Sequence, residues 1–384
     1  MTLMTKLIRL VLWLLVIAVS LAACIDPYEP DANYNLDVLV IDGFLTDLDE
    51  PQIVTLNRSR TEKLTGRFGV LPVSRAALTL LIDGQQTVAF SETAPGTYQL
   101  PTGIRGQAGR RYQLQLLLSD GTRYVSTEEV MPTAPAISRV YQRFNSASIV
   151  ATNPARLLPA NDFFIDTNDP AKQPNFYRWD WKAWEKQPWC RSCYQGRYQI
   201  FDDQQRLVEG CVTNFTIQGY LDYSCRTPCW EILQSTQLNL LADIYTDGRT
   251  IGGRLVGQIP YLHAGPCLVE IRQVALTKEA FMYFRQLEVQ TQNAGGLADV
   301  PPNAPIGNVR NLANEREAVV GYFGATSVAR VRYWLNRSAN TGPPIANTLF
   351  EAQTGRIPQE DGRVAALCVP GPTRTPIKPE GWQE

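Results

Sequence analysis

The fold class follows from one short segment, Ala77-Leu78-Thr79-Leu80-Leu81-Ile82-Asp83-Gly84, in which an apolar run enters a turn dipeptide. Residues 85–90 complete a hairpin after this turn. Short apolar or β-branched runs recur on both sides of the hairpin, separated by turn residues, and no helical period competes with them. This spacing predicts an Ig-like β-sandwich over residues 36–135 of a mainly β chain.

A second region begins after Pro132 and Pro135, because two prolines interrupt strand pairing at this point. Residues 136–369 are predicted to form a larger β-rich domain, since most of their apolar runs are short. Residues 370–384 are rich in proline, and we expect them to form a flexible tail.

One helix is predicted in the second domain, near residues 277–294. Thr277 is a suitable N-cap, and Glu279 would lie favourably in the first turn. Gly295-Gly296 is a suitable stop, because glycine adopts the backbone conformation that ends helices.

Aromatic and charged side chains alternate along residues 176–182, a pattern typical of a strand with two different faces. We expect Trp179 and Trp181 to be core residues, since aromatic side chains bury large areas and pair across strands. Trp184 and Trp189 follow the alternation in a predicted loop. These two tryptophans are therefore the candidates for stacking against a ligand such as a sugar ring.

The first residues carry an export signal. Lys6 and Arg9 form a short positive region, and residues 10–23 are almost entirely apolar. This apolar run is short of the roughly 20 residues that a membrane-spanning helix needs. It ends in Leu21-Ala22-Ala23-Cys24, which matches a lipobox. Residues 1–23 are therefore predicted to be a lipoprotein signal peptide.

Cys24 is the predicted lipidation site and would become the first residue of the mature chain. Several acyl chains on one cysteine would make the anchor close to permanent, at about 0.8 kcal/mol per buried methylene. Residues 24–35 are acidic and contain prolines, and we expect them to form a tether between the anchor and the folded body.

Seven further cysteines favour an oxidising compartment, and five of them lie in a predicted insertion at residues 190–229. The disulfide candidates are Cys190, Cys193, Cys211, Cys225, Cys229, Cys267 and Cys368. Seven is an odd number, so at least one thiol is unpaired or joined to another chain. We expect local bridges within the cluster, although the sequence leaves 105 connectivities open when one cysteine is left over.

Two other uses of these cysteines are weaker. A zinc site could be formed by Cys190, Cys193, Cys225 and Cys229, since each closely spaced pair can bind one side of a tetrahedral ion. Cys190 and Cys193 also resemble a redox motif, but the strand followed by a helix that would lower a thiol pKa is missing from the pattern. No metal and no cofactor are therefore predicted.

Charge and composition exclude several functions. The formal net charge of −1 argues against nucleic-acid binding, which requires a strong positive field. His263 is the single histidine, so multi-histidine zinc sites are ruled out and no convincing catalytic triad can be assembled. The sequence also lacks the nucleophile elbow and the phosphate-binding loops. No catalytic residue is predicted.

An ordered series of motifs resembles one protein family. The motifs are the lipobox followed by Asp26-Pro27-Tyr28-Glu29-Pro30, then Tyr177-Arg178-Trp179-Asp180-Trp181, Phe281-Met282-Tyr283-Phe284-Arg285-Gln286-Leu287, Gln290-Thr291-Gln292-Asn293-Ala294-Gly295-Gly296-Leu297 and Val320-Gly321-Tyr322-Phe323-Gly324-Ala325-Thr326-Ser327. Together they resemble the Bacteroidetes lipoproteins that carry the domain of unknown function DUF4249. Ala298 departs from this pattern, since a bulky aromatic residue is expected there.

The resemblance implies a lipoprotein of the outer membrane, often encoded beside TonB-dependent receptors, and it supplies no catalytic residues to transfer. We therefore expect a lipid-anchored, cell-surface protein that binds a ligand or partner as an accessory to a TonB-dependent transporter. The periplasmic face of the membrane is the alternative location. The alternative functions are a glycan hydrolase with two carboxylates distant in sequence and a structural or adhesive envelope protein.

Mass spectrometry of the protein purified from its native host tests the predicted anchor. We expect a mature chain that lacks residues 1–23 and carries acyl groups on Cys24, because the lipobox directs lipidation before cleavage. Retention of the first 23 residues, or an unmodified thiol at Cys24, would contradict the prediction.

Overall fold

The structure is a computed structural model that describes residues 38–61, 68–152, 155–216, 219–292, 305, 307–345 and 364–384. The predicted signal peptide, Cys24 and the tether lie outside the described residues, as does the predicted helix stop at Gly295-Gly296. The described residues of 38–58 and 72–384 form one compact unit. None of the described helical residues forms a span long and apolar enough to cross a membrane.

The chain is mainly β, as the sequence predicts. The strands before residue 131 are β1 (Val38–Thr46), β2 (Ile53–Thr61), β3 (Phe68–Pro72), β4 (Ala77–Ile82), β5 (Gln86–Ala89), β6 (Ser91–Ala94), β7 (Thr97–Gln99), β8 (Arg111–Leu117), β9 (Arg123–Ser126) and β10 (Glu129–Val130). The later elements are β11 (Ile137–Thr152), β12 (Ala155–Asn168), β13 (Phe176–Lys186), β14 (Trp189–Tyr194), β15 (Gly196–Gln199), β16 (Gly210–Thr213), β17 (Tyr220–Ser224), β18 (Trp230–Gln234), β19 (Asn239–Ala242), β20 (Thr250–Pro260), β21 (Cys267–Leu276), helix α1 (Lys278–Gln292), β22 (Val309–Asn311), β23 (Val319–Thr326), β24 (Val328–Leu335) and β25 (Arg374–Thr375).

Two sheets form the predicted sandwich around one apolar core. One sheet has the order β23, β1, β2, β7, β6, and the other has the order β22, β9, β8, β4, β5. Side chains alternate along β4, so that Leu78, Leu80 and Ile82 are buried while the residues between them are not. They share a core with Leu39 and Phe323 of the facing sheet. The alternation that predicts this hairpin is the pattern that a sheet with one buried face requires.

The sandwich is completed by two strands from far along the chain. β23 pairs in parallel with β1 from Leu39↔Val319 to Thr46↔Thr326, and β22 pairs with β9. Gly321 has φ +95, and a Cβ there would lie 1.9 Å from the Ile41 carbonyl oxygen, so only glycine fits the pairing. The predicted domain boundary at residue 135 would place β22 and β23 in the second domain. In the structure both strands belong to the sheets of the N-terminal sandwich. A parallel partner can come from any distance in sequence.

Most of the remaining strands form two further sheets, while β14 pairs with β17 and β15 pairs with β16 in two-stranded sheets. One has the order β24, β21, β13, β18, β25, with β19 also on β13, and the other is β11, β12, β20. Phe163 and Ile165 of β12 pack with Trp179, Val269 and Ile271 in a second apolar core. This core fixes β13 and β20 close together, and both strands contribute to the site described below.

Helix α1 is anchored at its first turn, as predicted. The Ala280 amide donates to Oγ1 of Thr277 at 3.2 Å, which is the geometry of an N-cap. Oγ1 of Thr277 in turn donates to Oε2 of the buried Glu129 at 2.9 Å, and the Tyr322 hydroxyl donates to Oε1 of the same carboxylate at 2.8 Å. Burial raises the pKa of Glu129, while these donors lower it. One carboxylate therefore joins β10, β23 and the start of α1.

Three disulfides hold the insertion and connect it to the end of the chain. Cys190 pairs with Cys225 and Cys193 pairs with Cys211, so two bridges are local, as expected. The third joins Cys229 to Cys368 across 139 residues, and Cys267 is a buried free thiol. The weak zinc alternative is contradicted, because Cys190, Cys193, Cys225 and Cys229 all have their sulfur atoms in S–S bonds. The redox motif fails for the same reason.

The C-terminal tail is packed against the body rather than loosely held. β25 pairs with β18, and the Trp382 ring packs against Trp230 and Trp334 in edge contacts. Arg332 also donates to the Glu380 carbonyl oxygen at 2.9 Å. The proline content of residues 370–384 suggests a free end, but a tryptophan and a disulfide at Cys368 fix it in place.

Candidate functional site

A groove opens where β13 loses its partner strand. Residues 182–186 of β13 pair with β18, and residues 176–179 pair with β19. Two residues of β13, Asp180 and Trp181, therefore stand opposite the four residues 235–238. The excess residues leave the sheet as a loop. Ser235 stays attached, since its amide donates to the Trp181 carbonyl oxygen at 3.0 Å and its Oγ accepts from the Trp181 amide at 3.2 Å.

The groove lies between this loop and β20 and has a volume of about 460 Å³. Its lining includes Trp181, Gln237, Asn239, Arg254, Gln258 and Glu288. An aromatic ring, several amides and one cation thus meet in one concave surface. A few convergent polar groups on an apolar wall are typical of a ligand-binding site.

Trp181 reaches the groove because the neighbouring strand has no side chain at Gly257. A Cβ at this position would lie 2.7 Å from Cδ1 of Trp181, so a larger residue would displace the indole. The expectation that Trp179 and Trp181 are both core is correct for Trp179, which is 1% exposed and donates from Nε1 to Gln273. Trp181 is half-buried: it packs against the second apolar core, as expected, and it also lines the groove.

The two predicted stacking residues, Trp184 and Trp189, lie elsewhere. Trp184 is in β13, not in a loop, and packs against the cluster of Trp230, Leu268 and Trp382. Trp189 is the first residue of β14, where it pairs with Ser224. The groove lining includes neither of them. The loop was expected because the aromatic and charged alternation ends near Lys182, yet β13 continues to Lys186.

Arg254 presents a guanidinium group that is held in place. Its Nη2 donates to Oδ1 of Asn239 at 2.5 Å and to the Leu240 carbonyl oxygen at 3.2 Å. Its guanidinium carbon lies 5.3 Å from the ring centroid of Trp179, a distance at which a cation is attracted to an indole. Burial lowers the pKa of Arg254, and the charge of Glu288 opposes this shift. Within the described residues, Arg254 forms no ion pair.

Amide side chains fix the walls of the groove. Nδ2 of Asn239 donates to the Leu255 carbonyl oxygen at 2.8 Å, so Asn239 joins the loop to β20 while it also accepts from Arg254. Nε2 of Gln258 donates to Oγ of Ser148 at 2.7 Å. The groove is therefore preformed, which reduces the entropy that a ligand must overcome on binding.

A pair of carboxylates on neighbouring strands lies outside the groove. Glu185 and Glu231 are direct cross-strand neighbours on β13 and β18. The Glu185 carboxylate lies 2.7 Å from Nη1 of Arg337, and both side chains are almost fully buried. Burial raises the pKa of Glu185, and Arg337 lowers it. Nη1 of Arg337 also donates to the carbonyl oxygen of His263, the single histidine, at 3.1 Å. The cluster is therefore a buried ion pair in which the Glu185 oxygens accept no hydrogen bond of good geometry.

Three aspartates are the described carboxylates that come near enough to hold a metal ion. Oxygen atoms of Asp169, Asp243 and Asp247 lie within 4.8 Å of one another. The Tyr177 hydroxyl donates to Asp169 at 2.5 Å, and the Asn175 amide donates to Asp243 at 2.9 Å. Burial raises the pKa of Asp169. These bonds explain the cluster as the support of the turn between β19 and β20.

The described residues thus form a mainly β protein with a preformed groove whose lining carries one guanidinium group and one carboxylate. A family model described as a domain of unknown function (DUF4249) matches residues 25–332, and the chain belongs to this family. The resemblance inferred from the motifs is therefore confirmed at the level of the family. A search of curated proteins gives no match.

Sequence reasoning missed the residues that shape the groove, namely Asn239, Arg254 and Gly257. Asn239 and Arg254 belong to segments without a recognisable motif, and they meet only because β13 brings β19 beside β20. Gly257 is the one of these three residues that could have been recognised from the sequence. A glycine within an otherwise apolar strand indicates a close approach by another group, here the indole of Trp181.

Proposed function

We propose that this protein is a non-catalytic binding lipoprotein of the Bacteroidetes outer membrane, exposed on the cell surface, and that the groove beside Trp181 holds a saccharide. The observation that carries the proposal is the half-buried indole in a preformed groove with amides on its walls. An indole offers an apolar face to a sugar ring, and amides can exchange hydrogen bonds with its hydroxyl groups.

The chemistry of the lining supports binding rather than hydrolysis. Among the described residues of the groove, Glu288 is the single carboxylate, whereas glycan hydrolysis uses two carboxylates about 5 to 10 Å apart. The pair formed by Glu185 and Glu231 does not line the groove, and Arg337 compensates Glu185. The groove volume of about 460 Å³ also favours a binding protein over a purely structural or adhesive one.

The membrane anchor and the partner complete the proposal. Lipidation at Cys24 and the acidic tether would keep the body close to the membrane surface while leaving the groove free to sample ligands. A TonB-dependent receptor is the proposed partner, on the strength of the family resemblance. The protein would then pass a captured saccharide to the transporter.

A glycan array tests the ligand class. We expect the wild-type protein to retain at least one saccharide and Trp181→Ala to bind it roughly tenfold more weakly or worse, since truncating a central aromatic contact costs about 2 kcal/mol. Tyr245→Ala is the control, because Tyr245 is 88% exposed and lies outside the groove. Binding by Trp181→Ala at the wild-type level, or no saccharide bound by the wild type, would contradict the proposal.

Affinity capture tests the partner and the location. The lipidated protein is purified from outer membranes of its native host, and we expect a TonB-dependent receptor to be recovered with it. A Cys24→Ala variant should lose the membrane association and the receptor together, because a permanent anchor keeps the two proteins in one plane. Protease treatment of intact cells should remove the body of the protein. Capture without any receptor would count against the accessory role, and protection from protease would place the protein on the periplasmic face.

A further inference from the structure

The groove contains one guanidinium group, that of Arg254, which forms no ion pair among the described residues, although the charge of Glu288 acts on it from a distance. Glu288 is the carboxylate that shares the groove with Arg254, but it forms an ion pair with Arg285 one turn earlier on α1. Arg254 itself uses Nη2 for two neutral oxygens, those of Asn239 and Leu240. The guanidinium is thus oriented by neutral acceptors.

The hydrogen bonds of Arg254 show which of its nitrogen atoms is left to bind a ligand. Nε is buried without a hydrogen-bond partner, and Nη2 is occupied. Nη1 makes no hydrogen bond within the described part of the chain, so it is the donor that a ligand can reach from the groove. A half-buried cation with an unused donor is stabilised most by an anionic acceptor, and the planar guanidinium fits a carboxylate well.

We propose that the ligand is an acidic saccharide, a uronate, whose carboxylate contacts Arg254 while its ring lies against Trp181. This inference rests on the proposed function, since it names the class of saccharide that the same groove takes. Asn239 is the positioning residue for Arg254, because one amide both accepts from the guanidinium and holds the loop to β20. The carboxylate of the ligand would supply Arg254 with the direct ion pair that it does not form with any described side chain.

Calorimetric titration of the full-length lipidated protein in detergent tests the inference. The probes are trigalacturonate and its methyl ester, which differ only in the charge of the carboxyl groups. We expect the wild type to bind the acid about tenfold more tightly than the ester, as a charge-assisted hydrogen bond implies. Arg254→Gln should bind both equally. Arg139→Gln is the matched control, since Arg139 is exposed, lies outside the groove and loses the same charge.

A second variant guards against misfolding of Arg254→Gln. Asn239→Asp keeps Arg254 but replaces the amide oxygen that accepts from its Nη2 by a carboxylate. Because this carboxylate would neutralise the guanidinium, the preference for the acid should disappear while the methyl ester still binds. Equal binding of acid and ester by the wild type, with both lost in Trp181→Ala, would overturn the inference and leave the saccharide groove intact. Tighter binding of a neutral or sulfated trisaccharide than of trigalacturonate would also overturn it. Failure of every saccharide to bind would contradict the proposed function as well.

Discussion

The interrupted pairing along β13 is the constraint on which the candidate site depends. A strand in the middle of a sheet normally satisfies its backbone groups on both sides, and β13 does so through β21 along its whole length and through β18 and β19 at its two ends. Between β18 and β19 the segment that faces β13 is two residues too long to pair with it. Ser235 is the residue of this segment that forms hydrogen bonds with the Trp181 backbone. The loop that results is one wall of the groove. The site is therefore a consequence of strand register and needs no separate binding domain.

Contacts elsewhere in the chain hold the strands beside this interrupted pairing in place. The parallel pairing of β1 with β23 joins residues that are 280 positions apart in sequence, and this pairing requires glycine at position 321. The carboxylate of Glu129 joins β10 to β23 and to the cap of α1, the helix that supplies Glu288 to the groove. The disulfide between Cys229 and Cys368 fastens the end of the chain beside β18. None of these long-range links involves a side chain that lines the groove, apart from Glu288 on α1.

The sequence predicts the features that depend on neighbouring residues, and it misses the features that depend on contacts between distant segments. The hairpin at Asp83-Gly84 and the N-cap at Thr277 follow from short patterns, because turn and capping preferences act over a few residues. The recruitment of β22 and β23 into the sandwich, and the docking of Trp382, depend on partners distant in sequence. Trp181 shows the limit most clearly. The alternation places it correctly on one face of a strand, but only the register of β18 and β19 reveals that the sheet is open beside it.

The claim that excess loop residues create the binding surface can be measured directly. Deleting residues 236–237 makes the loop as long as the stretch of β13 that it faces, so that β18 and β19 can pair as one strand. The account predicts a folded protein with an unchanged thermal midpoint that binds the saccharide retained by the wild type at least roughly tenfold more weakly. Deleting Asp202-Asp203 is the matched control and should preserve binding, because these two exposed residues lie in the loop between β15 and β16 and do not line the groove. Wild-type affinity in the folded deletion variant would contradict the account.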